Sequence, residues 1–484
     1  MDRAKLIFNN EISEKNYKKA IKEKNKFLKK FGDDSKENYN LSVKKNSISD
    51  KIGIEIIELG EKNDSLTNGV IIGNIRMGFG HYRISMAIAS AAKSMGYTPY
   101  WFDLNSFEGT TATKIISNLN NLYSMGSRWS QKYRLFNKLY WEPLNSKGFK
   151  KLSYNSKDQK VSELFTPIFK NLPKDIPFIA THVWPAQAAI HANMNNVINV
   201  IPDNWPMALH LAEGSLHTVQ TPSSYLGYKT LKDMKKNESL IPMPEDSIFD
   251  VGHYVDHELV SNLEYDTKMR IERLNNNSPL RFLITVGGAG AQSEIIKEIL
   301  KFMIPLVKKE KVSIFLNIGD HLNIWGKLIN DIPELKEISN YYFNRFDEIS
   351  NFINNTSMNI TTGINVFYHE DIFEAVYSTN ILMRVSDCLV TKPSELSFYP
   401  IPKLFIKRVG GHEAYGAIRS SEIGDGTIEC ENTESTIQML KLLLDNNNNI
   451  LEMLNNNILK VHSIGVYNGA YKVVELATKK SQVK

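Results

Sequence analysis

A chain of 484 residues, 42% hydrophobic and 23% charged, is too long for one ordinary core and too apolar for a disordered protein, so two domains with extensions are expected. A net charge of +5 is too mild to imply nucleic acid, and the two cysteines, Cys388 and Cys430, exclude a disulfide framework and lack the CxxC spacing of a zinc site. No apolar run approaches the ~20 residues that span a bilayer, and the opening MDRAKLIFNN carries no secretory signal. A cytoplasmic protein is therefore expected, with any membrane contact peripheral.

In chain order, residues 1–65 read as an N-terminal extension: a lysine-rich helix over 15–30, a polar, loop-like stretch over 33–50, and one short strand over 54–59. The organised fold is expected to begin at Gly69. Residues 70–75 read as a buried strand, 85–95 as an Ala-rich helix and 98–103 as the next strand, with further strands over 177–181, 197–201 and 218–220. After a polar break at 275–278 the pattern restarts. A strand over 280–286 precedes a long helix over 292–308, and strands follow over 312–318, 365–368, 388–391 and 403–406. Alternating strands and helices, with near-continuous apolar strands, signal doubly wound parallel sheets. The expected division is a first Rossmann-like domain over 66–270, a second over 271–460 and a C-terminal helix over 461–484.

Three segments carry chemistry. GNIRMGFGHYR, residues 73–83, is a strand-to-helix turn in which Gly78 and Gly80 let backbone approach a ligand. His81 sits at the mouth of the following helix, where a neutral imidazole can take a proton from a hydroxyl. The plainer alternative is a tight turn in which His81 only caps or packs. The segment has neither the Lys-Ser/Thr of a P-loop nor the GxGxxG spacing. ITVGGAGAQSE, residues 284–294, repeats the design, with Gly287, Gly288 and Gly290 freeing amides around Ala291 and Gln292 for a diphosphate. The third segment, residues 386–427, places Lys392-Pro393-Ser394-Glu395 after one strand and Gly410-Gly411-His412-Glu413 after the next. A carboxylate in such a turn can accept both hydroxyls of a ribose, and His412 and Glu413 can meet sugar hydroxyls or phosphate. Glu395 as a helix-capping carboxylate is the competing reading, and local pattern does not separate the two.

In this order and spacing the segments resemble the GT-B glycosyltransferase family that includes the peptidoglycan N-acetylglucosaminyltransferase and the plant-type monogalactosyldiacylglycerol synthases. Gly78-Phe79-Gly80-His81 resembles their first glycine-rich loop, and Gly287-Gly288-Ala289-Gly290-Ala291 the turn that opens their second domain. Residues 387–391 followed by Lys392-Pro393-Ser394-Glu395 resemble their donor-binding turn. Gly411-His412-Glu413 falls where they carry Gly-Gln-Glu. Residues 199–203, ending at Asp203, and the following His210 resemble an acceptor-side segment. The resemblance spans roughly residues 66–475. It departs at His412, at a Gly287 turn one residue short, and at Pro393-Ser394, which stand where the family has Gly-Gly.

The resemblance implies two Rossmann-like domains facing a cleft and an inverting, metal-independent transfer from a nucleotide-sugar, a UDP-sugar, to a small-molecule, lipid or glycan acceptor. His81 would be the base. Helix starts near Gly80 and Gly290 would hold the leaving diphosphate, Lys392, Ser394 and Gln292 would complete the donor site, and Glu395 or Glu413 would hold hydroxyls. No cofactor is called for beyond the donor as substrate, and no metal.

Residues 128–151 interleave basic and aromatic side chains, among them Arg128, Trp129, Lys132, Tyr133, Lys138 and Tyr140, with Glu142 the single acid. This suits peripheral contact with an anionic membrane. The alternative is a helical pair that packs its aromatics and leaves its lysines in water. No recognised nucleic-acid module accompanies the patch. Two other readings stay open: a nucleotide-sugar epimerase, for which Asp203, His210 and Glu213 offer acids and bases, and a non-catalytic binding scaffold.

Overall fold

The computed structural model describes residues 2–235, 238–287 and 292–482. The chain divides into two compact units. The first comprises Met1–Met77, Ile84–Tyr254 and Asn468–Lys484, and the second Gly78–Arg83 and Val255–Tyr467.

In the first unit a small antiparallel hairpin, β1 (Leu6–Ile7) and β2 (Asn10–Glu11), precedes an eight-stranded sheet. The sheet strands are β3 (Leu41–Lys44), β4 (Glu55–Leu59), β5 (Gly69–Asn74), β6 (Thr98–Asp103), β7 (Phe178–Ala180), β8 (Val197–Val200), β9 (Leu216–Val219) and β10 (Ile248–Asp250). Their spatial order is β10-β9-β8-β7-β5-β6-β4-β3, parallel throughout except for β3 against β4 at one edge. From β5 the chain first builds outward through β6 and later returns to the other side through β7. The crevice between the carboxyl ends of β5 and β7 is therefore a topological switch point. Phe102, Phe107, Phe165, Phe169 and Phe178 fill the core beneath the sheet.

The lysine-rich stretch forms the helix Glu14–Phe31, which buries Ala20 and Phe27 and packs on the helix Leu152–Ser162. Ion pairs tie the chain start down: Lys160 Nζ lies 2.6 Å from Asp2 and 2.8 Å from Glu163, and Lys24 reaches Glu163 at 2.6 Å. The stretch over 33–50, expected as loop, contains β3. Its short Leu41-Ser42-Val43-Lys44 alternation is half exposed at a sheet edge, so its apolar content is too small to stand out. The helix Gly469–Gln482 packs on the same unit, with Asn196 Nδ2 donating to the Ala477 carbonyl at 2.5 Å.

The second unit holds a six-stranded, all-parallel sheet: β11 (Leu280–Thr285), β12 (Val312–Asn317), β13 (Ser339–Phe343), β14 (Gly363–Tyr368), β15 (Cys388–Thr391) and β16 (Lys403–Phe405), ordered β13-β14-β12-β11-β15-β16. Every residue of β11, β12 and β15 is buried, as helices on both faces require. Strand order reverses between β11 and β15, which puts the switch point at the turns after Thr285 and Thr391. The edge strand β13 was not expected from the sequence. Its Ser-Asn-Tyr-Tyr-Phe run is polar enough at the start to pass for a loop.

Each unit is thus an α/β, Rossmann-like domain, as the strand–helix alternation predicted. Both cysteines are buried, and burial pushes the Cys388 thiol up to about 12 and Cys430 up to about 11. Among the described residues, no helix is long and apolar enough to cross a membrane.

Candidate functional site

The glycine turn after β11 and the Lys392 turn after β15 lie side by side because their strands pair in parallel, in register Ile284 to Val390. The hydroxyls of Thr285 and Thr391 meet at 3.1 Å where the strands end. A Cβ on Gly287 would come within 3.2 Å of the Lys392 side chain, so glycine here makes room for that lysine. Gly288, Gly290 and Ala291 lie outside the described residues. Gln292 stands immediately before the helix Ser293–Lys308 at φ +70°, a left-handed conformation, and its side-chain amide donates to the Lys407 carbonyl after β16. The helix start carries a positive dipole end with unpaired N–H groups, and Lys392 adds a full charge beside it.

Glu413 closes the far side. One carboxylate oxygen pairs with the Lys392 ammonium, and the other accepts the N–H groups of Val409 at 2.7 Å and Gly410 at 3.2 Å. This carboxylate therefore holds the Gly410-Gly411-His412 turn closed. The His412 ring lies so close over Gly410 that a Cβ there would come within 2.6 Å of it. Ser394 turns the chain into the short helix Glu395–Phe398, its carbonyl accepting the Ser397 amide at 3.0 Å.

Glu395 meets a different neighbour. The segment Gly78–Arg83 belongs to this unit, and the Arg83 Nε lies 3.6 Å from the Glu395 carboxylate. A Cβ on Gly80 would sit 3.3 Å from that carboxylate, so the second glycine of the first turn permits the approach. The structure therefore brings Gly80 and Glu395 together, with His81 the next residue, half-buried, in the first turn of the helix Gly80–Ser94. Arg83 itself is 2% exposed. Its guanidinium donates to the Asn380 side chain and to the Val376 carbonyl at 3.3 Å. Asn380 in turn donates to Asp256 at 2.9 Å, and Asp256 accepts the Tyr399 hydroxyl at 2.9 Å. Burial, with the charge of Glu258 nearby, pushes the Asp256 carboxyl up to about 7. Nothing in the sequence pointed to this chain of buried polar groups. Arg83 stands only two residues beyond His81, but its partners are hundreds of positions away.

Asp203 and His210, expected on the acceptor side, form their own cluster in the first unit, beyond the carboxyl end of β8. His210 Nε2 lies 3.4 Å from Asp203, and its Nδ1 meets the Tyr228 hydroxyl at 2.7 Å. Asn199 fixes the segment by donating to the His210 carbonyl at 2.5 Å. Tyr228 is fully buried and its hydroxyl is pushed well above its ordinary value by desolvation. Tyr228 was not anticipated. Glu213, in contrast, accepts the Phe8 amide at 2.5 Å and so secures the N-terminal hairpin; burial raises its carboxyl.

The basic-aromatic stretch splits in two. Trp129, Tyr133, Leu135, Leu139 and Tyr140 are exposed, Leu135 at 73% and Leu139 at 72%, on the end of the helix Thr111–Lys132 and the short helical segments Arg134–Phe136 and Asn137–Trp141 after it. Trp141 and Lys150 are buried, and the Lys150 ammonium sits 3.7 Å over the Trp205 ring.

Residues 6–230 match a family model described as Domain of unknown function (DUF6937), and residues 243–478 match one described as Domain of unknown function (DUF6938). No curated protein matches the sequence. Among solved structures the chain is similar to a UDP-GlcNAc 2-epimerase from Neisseria meningitidis bound to UDP-GlcNAc, at 12% identity and a TM-score of 0.44, covering 85% of this chain and 100% of that one. It is also similar to an α,α-trehalose 6-phosphate synthase from Burkholderia multivorans, at 10% identity and a TM-score of 0.44, covering 86% of this chain and 100% of that one. The chain therefore matches one family model over most of its first α/β unit and another over most of its second.

Proposed function

We propose that this chain is a GT-B-type glycosyltransferase that moves a sugar, with inversion, from a UDP-sugar to an acceptor hydroxyl. The observation that carries the reading is the meeting of Gly287 and Lys392 at the switch point of the second sheet, where α/β folds take nucleotide ligands, with Glu395 three residues further on beside Gly80. A donor diphosphate would lie against the start of the helix Ser293–Lys308 and Lys392, exchanging Glu413 for phosphate as that lysine's partner. Because Glu413 already holds two backbone amides, Glu395 is the carboxylate assigned to the ribose hydroxyls. His81 would take the acceptor proton as the new C–O bond forms at the anomeric carbon. The electron pair of the broken bond would pass to the diphosphate, stabilised by Lys392 and the helix start. The reading calls for no metal.

The exposed Trp129, Tyr133, Leu135, Leu139 and Tyr140, with lysines around them, support a lipid-linked acceptor met at an anionic membrane surface. The Asp203–His210–Tyr228 cluster favours one second reading, a nucleotide-sugar epimerase that uses these groups for proton transfer.

Thermal unfolding with UDP, GDP, dTDP, ADP and CMP tests the donor site, since a ligand at about 100 times its Kd adds roughly 2.7 kcal/mol. Stabilisation by UDP that is lost in Lys392→Ala and weakened in Glu395→Ala is the expected result. A flat panel would sink the nucleotide reading. Conversion of a UDP-sugar to its epimer, with no acceptor present, would select the second reading.

A further inference from the structure

The second unit has a cavity of about 550 Å³ far along the sheet from the Lys392 turn, between the edge strands β13 and β14, the helix Phe346–Met358 and the link to β14. That volume falls inside the ~300–1,000 Å³ range of small-molecule sites. Its lining is unusual in chemistry. Asn340, Asn351, Asn355, Asn359 and Asn365 contribute five carboxamides, and threonine hydroxyls stand among them. Glu348 is the only charged side chain in the lining.

Asn365 gives the cavity a reason to be filled. It is 2% exposed, its side-chain oxygen accepts from Asn340 Nδ2 at 3.2 Å, and its own Nδ2 has no hydrogen-bond partner among the described residues. A buried N–H without an acceptor is costly, so a ligand oxygen that reaches it restores a missing hydrogen bond. The strand register sets the pair, because β13 and β14 place Asn340 directly opposite Asn365. Tyr342 is half-buried in the wall, with its ring stacked on Phe367 at 5.0 Å and against Phe352 at 5.1 Å, which holds it rigid. Ile360, 73% exposed, adds an apolar rim.

Carboxamides both donate and accept, as do sugar hydroxyls, while a fixed aromatic ring and an aliphatic rim suit the C–H face of a pyranose. A phosphate or nucleic acid would find one carboxylate and no cation in the lining, since the neighbouring Arg345 is paired with Glu348 at 3.5 Å and Arg281 donates to the Asn359 carbonyl. We propose that this cavity is a second binding site, for a neutral saccharide of one or two rings. The site stands on residues outside the donor turns and does not depend on the transferase reading.

The test is saturation-transfer NMR on the full chain with N-acetylglucosamine, maltose, cellobiose and lactose, in excess UDP so that the donor turns are occupied or irrelevant. Transfer to at least one of these sugars is expected, with inorganic phosphate failing to compete. Asn355 is exposed, so Asn355→Trp closes the mouth without threatening the fold, and it should abolish the transfer while leaving the unfolding midpoint unchanged. Asn355→Ala removes one hydrogen-bonding group and should weaken binding up to about tenfold. No transfer to any of the four sugars, or transfer that survives Asn355→Trp, would overturn the proposal.

Discussion

Glu395 and Glu413 are two carboxylates at the same edge of one sheet, yet their surroundings give them different tasks. Glu413 neutralises Lys392 and satisfies two amides, so Glu413→Gln should lower stability by about 2 kcal/mol, the cost of leaving those partners underpaired, read as a shift in chemical denaturation. Glu395→Gln should cost little stability, since its contact with Arg83 is 3.6 Å and lacks hydrogen-bond length, but should weaken UDP binding about tenfold in calorimetry. Equal behaviour of the two variants would contradict the division of roles. Asp256 supplies a pH test. Its carboxyl ordinarily titrates at 3.8 and is raised to about 7 in the fold, because burial outweighs the hydrogen bonds from Asn380 and Tyr399. A group raised in the folded state contributes stability that is complete below its unfolded value and lost as pH rises through its folded one. Wild type should therefore lose stability between about pH 4 and about pH 7, and Asp256→Asn should lose less over the same interval.

Among the elements, the glycine turns were the most legible in the sequence. A glycine cluster between an apolar strand and a helical pattern has few other physical explanations, and the chain indeed turns at Gly78, where φ is +71°, while β11 and β15 of the second unit end at Thr285 and Thr391. Short edge strands were the least legible, as β3 and β13 carry too few apolar residues for their period to register. The basic-aromatic stretch was legible as composition but not as geometry. Only the fold separates Leu135 and Leu139, which face solvent, from Trp141 and Lys150, which do not. Leu135→Lys with Leu139→Lys should leave the unfolding midpoint in place and reduce sedimentation with vesicles containing phosphatidylserine several-fold. Undiminished binding would remove this element from the membrane proposal.

For the molecule as a whole, the chain leaves the first unit after Tyr254 and returns to it at Asn468. The returning helix buries Ala470, Val473, Val474 and Ala477, and its Gly469 amide donates to the His253 carbonyl at 2.9 Å. Ending the chain after Tyr467 should therefore destabilise the first unit selectively. Hydrogen exchange would report this as lost protection in β7 and β8, against which the helix packs, while β11 and β12 keep theirs. Uniform loss across both sheets would argue against the two-unit division.

Residue order alone determined that the chain makes two α/β units, since strand and helix periods are local properties and recur along the text. It also located the turns that carry the candidate donor site, because a glycine cluster between an apolar strand and a helical pattern marks a turn in the text itself. Only tertiary structure decided that Arg83 lies beside Glu395, that Glu413 is spent on Lys392, that Tyr228 completes the Asp203–His210 pair, and that asparagines from two strands and a helix share one cavity. Such pairings depend on strand order and register. Those follow from how whole sheets bury their faces, a sum over the entire chain that no local stretch encodes.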